Sequence, residues 1–254
     1  MYSFFVEPEQ ILDKEIRIIG KDVNHIKNVL RMQEGEKISI SNGLDSIEYQ
    51  CEIFSMNEDE IRCHILTCKE NDLELQAKIT LFQGLPKADK MELIIQKCVE
   101  LGVSQFVPMQ TKRSIVKLDE KKAKNKILRW QAISEAAAKQ SKRKRIPIVE
   151  APCSYLDAIH MGKDYDKILI PYELKEGMKD TKEAIESIKP GDTVGVFIGP
   201  EGGFSEEEIT LAVEIGAIPI SLGKRILRTE TAGFTTLALL MYQLELQAEQ
   251  KEEI

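Results

Sequence analysis

The pattern of apolar and polar residues changes near residue 73. Before that point, short runs of β character are separated by turn signals such as Asn42-Gly43, which is typical of small antiparallel strands. One helix is predicted at about 22–29 among these runs. The pattern predicts a small β-barrel domain over residues 1–73. The predicted strands are Ser3–Val6, Glu15–Ile19, Lys37–Ser41, Ile47–Ser55 and Glu60–Leu66.

From Lys78 onward, predicted strands alternate with helices of about 10 to 20 residues. This alternation indicates βαβ units and a mostly parallel sheet, and therefore an α/β domain over residues 74–254. The predicted strands are Ile79–Gln83, Gln105–Met109, Ile146–Val149, Lys167–Pro171, Thr193–Ile198 and Ile218–Ser221. The predicted helices are Asp89–Leu101, Glu120–Ser141, Tyr155–Met161, Lys179–Ser187, Glu206–Ile215 and Glu230–Glu249.

Two strand-to-helix turns near the C-terminus carry the strongest functional signal. The first is Gly199-Pro200-Glu201-Gly202-Gly203, and the second runs from Leu222-Gly223 to Arg228. Glycines let a backbone approach a ligand or adopt a positive φ, and open α/β sheets bind ligands beyond the carboxyl ends of their strands. Neither turn matches G-x-G-x-x-G or G-x-x-x-x-G-K-[ST], so a dinucleotide or P-loop site is not indicated.

The charge distribution is uneven. The chain has a formal net charge of −7, yet residues 105–150 contain thirteen Lys and Arg against four Asp and Glu. A basic block on an acidic protein is the electrostatic signature of a nucleic-acid-binding surface. The run 139–145, with five positive charges in seven residues, is expected to face phosphates. A solvated helix face followed by a basic loop is the alternative.

Hydropathy and the numbers of cysteines and histidines argue against a membrane protein and against a zinc-binding protein. No segment approaches the roughly 18 apolar residues of a membrane span, and the N-terminus lacks a signal-peptide pattern. Five cysteines without a C-x-x-C pair, and three scattered histidines, give no zinc set. We therefore expect no membrane, no metal, reduced thiols and a cytoplasmic location.

The motifs I-G-P-E-G-G-F-S and L-G-K-R-I-L-R-T-E-T-A resemble those of the ribosomal RNA small subunit methyltransferase E family. The resemblance implies an S-adenosyl-L-methionine-dependent enzyme that methylates N3 of a uridine in 16S ribosomal RNA of the small subunit. It also implies a SPOUT-type parallel sheet with a deep trefoil knot, a PUA-like RNA-binding β-barrel at the N-terminus, and a homodimer. Further matching segments are His25–Met32, Leu85–Val103, Thr111–Lys117 and Arg129–Ser141.

The chemistry of this reaction suggests roles for three charged residues. Methylation of N3 requires loss of its proton, and a guanidinium such as that of Arg228 suits the negative charge that develops on the uracil carbonyls. Glu201 or Glu230 is expected to accept the proton or to fix Arg228, and either could instead cap a helix. The residues implied to bind the cofactor are Pro171, Glu173, Ile198, Gly199, Pro200, Gly202, Leu222, Gly223, Ile226, Leu227 and Thr231. Those expected to contact RNA are Arg31, Lys87, Lys90, Arg113, Arg129, Lys142, Arg143 and Arg145.

The chain departs from the family pattern at two places. Tyr2-Ser3 precede Phe4-Phe5 where relatives often carry arginines, and Gly233-Phe234 follow the second motif where smaller or proline-containing sequences are common.

A second hypothesis of function is a non-catalytic RNA-binding protein of ribosome assembly on the same fold. The pair of glycine turns counts against it, because a binding protein has no need of both.

Overall fold

The computed structural model describes residues 1–70, 73–175 and 177–252. The chain divides into two compact units, of which the first comprises residues 1–74 and 138–146 and the second the remainder. The sequence pattern predicts 138–146 to lie in the C-terminal domain. The structure differs because Arg145 forms a parallel bridge with Gly43, and the Ile146 amide donates to the Gly43 carbonyl at 2.8 Å.

The first unit contains one five-stranded sheet. Alternate residues of its strands, such as Ile16 and Ile18 or Ile38 and Ile40, are fully buried and form its core. Its elements are β1 (Ser3–Phe5), β2 (Glu15–Ile19), α1 (Lys21–Asn24), β3 (Lys37–Ser41), β4 (Ile47–Met56) and β5 (Glu60–Glu70). The predicted helix begins as α1 and continues as a π-helix at His25–Val29. The strand order is β1-β3-β4-β5-β2, so the described strands form an open sheet where the sequence predicts a barrel.

Two residues of the basic run are buried in this unit instead of facing solvent. Arg143 is 5% exposed and its guanidinium is ion-paired with Glu74. Lys144 is 3% exposed, and its Nζ donates to Glu48 Oε1 at 2.8 Å and to Ser39 Oγ at 3.2 Å. Charges are retained in a protein interior only when they are paired and hydrogen-bonded, as here. The expectation that the whole run faces phosphates is therefore wrong for Arg143 and Lys144.

The second unit is built on a parallel sheet of seven strands in the order β12-β10-β11-β6-β7-β8, with β9 also paired to β7. All these pairings are parallel. The strands are β6 (Lys78–Gly84), β7 (Gln105–Gln110), β8 (Ile148–Val149), β9 (Cys153–Ser154), β10 (Lys167–Pro171), β11 (Thr193–Ile198) and β12 (Ile218–Ile220). The helices are α2 (Lys90–Glu100), α3 (Glu120–Gln140), α4 (Tyr155–Gly162), α5 (Lys179–Glu186), α6 (Glu206–Glu214) and α7 (Thr229–Glu252).

Aromatic packing fixes the centre of this sheet. Phe82 of β6 and Phe197 of β11 are paired in register and stack with ring centroids 4.3 Å apart, while Tyr165 packs edge-on against Phe82. Both phenylalanines are fully buried. The central strands are thus held rigidly a few residues before they end. Across the described ranges, no helix is long and apolar enough to cross a membrane.

The buried Lys144–Glu48 pair makes a testable contribution to stability. We expect Glu48→Gln to lower the free energy of unfolding by about 3–5 kcal/mol, because it leaves a buried ammonium without its carboxylate. Urea unfolding followed by circular dichroism measures the change. Adding Lys144→Met should recover most of the loss, since it removes the buried charge that no longer has a partner.

Glu183→Gln is the matched control for this prediction, because it breaks an exposed i, i+4 pair with Lys179 and should change stability little. A loss in Glu48→Gln no larger than that of the control would contradict the prediction.

Candidate active site

A cavity of about 440 Å³ lies at the carboxyl ends of β10, β11 and β12. These three strands are neighbours and run parallel, so the turns that follow them meet at one edge of the sheet. The three turns, together with residues at the start of α7, supply nearly all of the lining. Both glycine turns predicted from the sequence therefore face the same cavity.

The first turn is shaped by close backbone contacts. A Cβ on Gly199 would lie 3.0 Å from backbone atoms of Gly203, and a Cβ on Gly84 would lie 2.6 Å from Pro200. Both positions require glycine because other backbone or ring atoms occupy the space. Helix α6 begins at Glu206, directly after its N-cap Ser205, whose hydroxyl accepts from the Glu208 amide in a capping box, as the sequence predicts.

The second turn requires glycine for a different reason. Gly223 has a φ of +100°, and no atom lies within 4 Å of the Cβ position. A side chain there would be strained and would project into open space beside the cavity. Ile226 in the same turn is 86% exposed and lines the cavity, which leaves a large apolar side chain available to a ligand.

A chain of buried hydrogen bonds connects the two turns. The Thr229 hydroxyl donates to the Gly199 carbonyl at 2.6 Å and accepts from Gln83 Nε2 at 2.9 Å. The same Nε2 donates to the Gly84 carbonyl at 2.9 Å. The end of β6, the first turn and the first residue of α7 are thereby joined through side chains.

Lys90 lies at the cavity wall between two carboxylates. Its Nζ is 3.0 Å from Glu201 Oε1 and 3.5 Å from Glu230 Oε2. The hydrogen bond to Glu201 is the main cause that raises the pKa of Lys90. Burial acts to raise the pKa of Glu201, but hydrogen bonds from its own backbone, Lys90 and the Lys87 amide outweigh burial and lower it. Lys90 is therefore a fixed cation, and Glu201 a fixed carboxylate.

Arg228 is exposed and lines the cavity at the point where the second turn enters α7. Its carbonyl accepts from the Ala232 amide at 2.8 Å, which fixes its backbone at the helix start. Within the described ranges no carboxylate is ion-paired with Arg228, since Glu201 and Glu230 both contact Lys90 instead. The guanidinium is thus available to a ligand.

Most of the predicted cofactor-binding residues come together here. Thr231 is the exception, because it is exposed on α7 and does not line the cavity; Glu230, a predicted catalytic residue, does not line it either. The predicted residues that line it are Pro171, Glu173, Ile198, Gly199, Pro200, Glu201, Gly202, Leu222, Gly223, Ile226, Leu227 and Arg228.

Gln83, Gly84 and Thr229 belong to the site although they are absent from the residues predicted to form it. Their partners lie up to 146 residues away, so no local pattern marks them. The one local resemblance to the two predicted turns is that Gly84, like Gly199, directly ends an apolar strand. Among the described residues, no group of three His, Cys, Asp or Glu side chains is placed to hold a metal ion.

The predicted RNA-contacting residues lie in different environments. In the second unit, the Arg113 guanidinium donates to the Gly202 carbonyl at 2.8 Å, and Arg129 is paired with Glu92 at 2.7 Å. Lys87 is exposed. In the first unit, the side chains of Arg31, Lys142 and Arg145 are exposed, whereas that of Arg143 is buried as described above.

Comparisons with known proteins identify the family of this chain. A family model described as an RNA methyltransferase domain matches residues 73–241, and one described as an RNA methyltransferase PUA domain matches residues 18–66. The chain is 40% identical to the ribosomal RNA small subunit methyltransferase E of Bacillus subtilis (strain 168) over 252 residues, which cover 97% of this chain and 98% of that protein.

Two solved structures of similar proteins contain S-adenosyl methionine. One is a ribosomal RNA small subunit methyltransferase E from Neisseria gonorrhoeae, with 29% identity, a TM-score of 0.82, and coverage of 95% of this chain and 97% of that one. The other is a methyltransferase from Legionella pneumophila, with 31% identity, a TM-score of 0.83, and coverage of 94% and 96%. By sequence and fold along almost its whole length, this chain belongs to the ribosomal RNA small subunit methyltransferase E family.

Proposed function

We propose that this protein transfers a methyl group from S-adenosyl-L-methionine to N3 of a uridine in 16S ribosomal RNA of the small subunit. The observation that carries the proposal is the cavity at the ends of β10, β11 and β12, with its glycine turns and an exposed Arg228 at its edge. Membership of the methyltransferase family supports the class of reaction. A non-catalytic RNA-binding role would leave this cavity without a purpose.

The cavity fits the cofactor in size and chemistry. Its volume falls within the roughly 300–1,000 Å³ range of small-ligand sites. Backbone groups of the two turns would hold the polar parts, Ile226 and Leu227 would contact the adenine, and Gly223 leaves space that a Cβ would fill. The neighbouring structures with S-adenosyl methionine support the same assignment.

We expect Gly223→Val to abolish cofactor binding while the protein remains folded. Two effects act together, since valine strains a backbone with φ of +100° and its side chain enters the open space beside the cavity. Isothermal titration with S-adenosyl-L-methionine measures the affinity.

Gly216→Val is the matched control for Gly223→Val. Gly216 has a φ of +91° and equally open space, but it follows the C-cap of α6 and does not line the cavity. It should lose similar stability and retain affinity. Equal affinities in the two variants would show that the cofactor does not lie against the second turn.

The reaction requires a nitrogen lone pair that appears only as the N3 proton leaves. When bound, the cofactor supplies an electrophilic methyl carbon. The protein then has to orient the base and stabilise the negative charge on the uracil carbonyls. Arg228 suits this task because its guanidinium is always protonated, has forked donors and is exposed at the cavity.

The proposed roles of Glu201 and Glu230 follow from their shared contact with Lys90. Because both carboxylates bind Lys90, the geometry favours a role in fixing Lys90 over a role in fixing Arg228. The lowered pKa of Glu201 makes it a weak proton acceptor near neutral pH. Glu230 does not line the cavity, so neither carboxylate is assigned the N3 proton.

We expect Arg228→Ala to lower the single-turnover methylation rate by roughly 10²–10³, the scale of losing one preorganised donor. Affinity for cofactor and RNA should change much less, because the interaction strengthens only as charge develops. Arg228→Lys should recover little, since an ammonium cannot reproduce the fork. The measurement uses saturating cofactor and an assembled small-subunit substrate.

Arg225→Ala tests whether the effect belongs to position 228, because Arg225 lines the same cavity from the same turn. Equal losses in both variants would indicate a general positive field. A loss confined to binding would make Arg228 a residue that holds substrate rather than one that acts in the chemical step.

RNA binding is proposed to use cations of both units. Arg31, Lys142 and Arg145 are exposed and would contribute from the first unit. Lys87, Arg113 and Arg129 are exposed and would contribute from the second, although Arg113 also donates to the Gly202 carbonyl. Lys90 would contribute as a partly buried cation that is also paired with Glu201 and Glu230. Arg143 and Lys144 are left out of this surface because they are buried and paired.

We expect the double variant Lys142→Ala with Arg145→Ala to reduce the slope of log K against log salt for RNA by about 0.7–0.9 for each phosphate that it no longer neutralises. Lys179→Ala with Lys182→Ala removes the same charge from exposed positions on α5 and should leave the slope unchanged. Binding is measured over a salt series. Equal slopes in the two double variants would show that residues 142 and 145 are only solvated surface.

We also propose a knotted fold, a homodimer and a cytoplasmic location. The order β12-β10-β11 and the family relationship support a deep trefoil knot formed around these strands. Exposed Tyr242 and Leu246 on α7, beside the buried Leu240 and Leu244, support a homodimer through this helix. A substrate in the ribosome and five free cysteines are consistent with a cytoplasmic location.

A further inference from the structure

The hydrogen-bond chain Gln83–Thr229–Gly199 joins three separate parts of the second unit. Gln83 lies near the end of β6, Gly199 begins the first turn, and Thr229 is the first residue of α7. Gln83 is 0% exposed and Thr229 is 5% exposed, so the bond between them is shielded from water, while the Gly199 end is partly exposed at the cavity. We call this chain the clasp.

The direction of the bonds is determined by the groups themselves. The Gly199 carbonyl can only accept, so the Thr229 proton goes to it, and Gln83 must then present its amide N–H to Thr229. Gln83 Oε1 is left buried without a hydrogen-bond partner among the described residues. A buried oxygen without a hydrogen-bond partner is unfavourable, and a functional role is one of the reasons for which a native protein keeps such a group.

The clasp acts on the backbone of Arg228. Arg228 directly precedes Thr229, and its own carbonyl is bonded to the Ala232 amide at 2.8 Å. The Arg228 backbone is therefore anchored on its C-terminal side by the helix and by the clasp, while its side chain extends to the cavity. Any slip of Thr229 relative to Gly199 would move the guanidinium relative to the first turn.

We propose that Thr229, held by Gln83, is a positioning residue that sets Arg228 against the first turn, so that the guanidinium and the bound cofactor face the uracil in a fixed geometry. The inference rests on the proposed function. Thr229 does not itself react; it determines where the residue before it lies. A displacement of about 1 Å in such an arrangement is enough to cost on the order of a hundredfold in rate.

Thr236 is the control position that distinguishes a positioning role of a buried threonine hydroxyl from a role in helix packing. It is 0% exposed, lies in the same helix, and donates its hydroxyl to the Ala232 carbonyl at 2.9 Å. That bond connects two residues of α7 and nothing outside it. Thr→Val removes the same hydroxyl with the same change of shape at both positions.

The experiment compares Thr229→Val, Thr229→Ser and Thr236→Val with the unaltered protein. The cofactor affinity, the urea unfolding curve and the single-turnover methylation rate at saturating cofactor and small-subunit RNA are measured for each. We expect Thr229→Val to lower the saturated rate by roughly tenfold to a hundredfold. Thr229→Ser, which keeps the hydroxyl, should recover most of that rate, and Thr236→Val should stay within about twofold of the unaltered protein.

Gln83→Met keeps the test decisive if Thr229→Val does not fold. It removes the amide but leaves the Thr229–Gly199 bond, so a smaller loss in the saturated rate is expected. If an affected variant loses only stability and retains its saturated rate, or if Thr236→Val loses as much rate as Thr229→Val, the clasp is structural and the inference is wrong. If the unaltered protein neither binds the cofactor nor methylates the RNA, the proposed function itself fails.

Discussion

The parallel pairing of β10 with β11 on one side and with β12 on the other is the constraint on which the site depends. Leu169 of β10 is in register with Val196 and with Ile218, so the three strands end at the same level. Backbone hydrogen bonds between the strands bring their turns to one edge of the sheet, and the Thr229–Gly199 hydrogen bond then joins the start of α7 to the first turn. The turns can therefore carry charge and glycine without weakening the sheet.

Glycine serves two distinct physical purposes around the cavity. At Gly84 and Gly199 it allows backbone to approach backbone or a proline ring more closely than a Cβ would permit. At Gly223 it permits a positive φ and leaves space open. Glycine at the first kind of position is needed for the backbone to pack, while glycine at the second leaves space for a ligand. The sequence alone does not distinguish the two.

Local patterns predicted most of the fold, because the periodicity of apolar residues reflects burial within one element. The spans of β10 and β11 agree with the sequence prediction residue for residue. The cavity turns were also predictable, since glycines and charges directly follow strands. The buried roles of Arg143 and Lys144 were not, because their carboxylates, Glu74 and Glu48, are 69 and 96 positions away. The role of Gln83 could not be predicted for the same reason, because its partner Thr229 is distant in sequence.

The first unit is discontinuous, and this has a consequence for how the chain is made. Lys144 and Arg143 are buried cations that pair with partly buried carboxylates of that unit, and they follow its strands by more than 70 residues. During synthesis from the N-terminus, the strands of the small sheet emerge before Arg143 and Lys144, and the unit gains these two cations only after residue 146 has left the ribosome. A fragment cut at the apparent boundary near residue 73 would remain in that unfinished condition permanently.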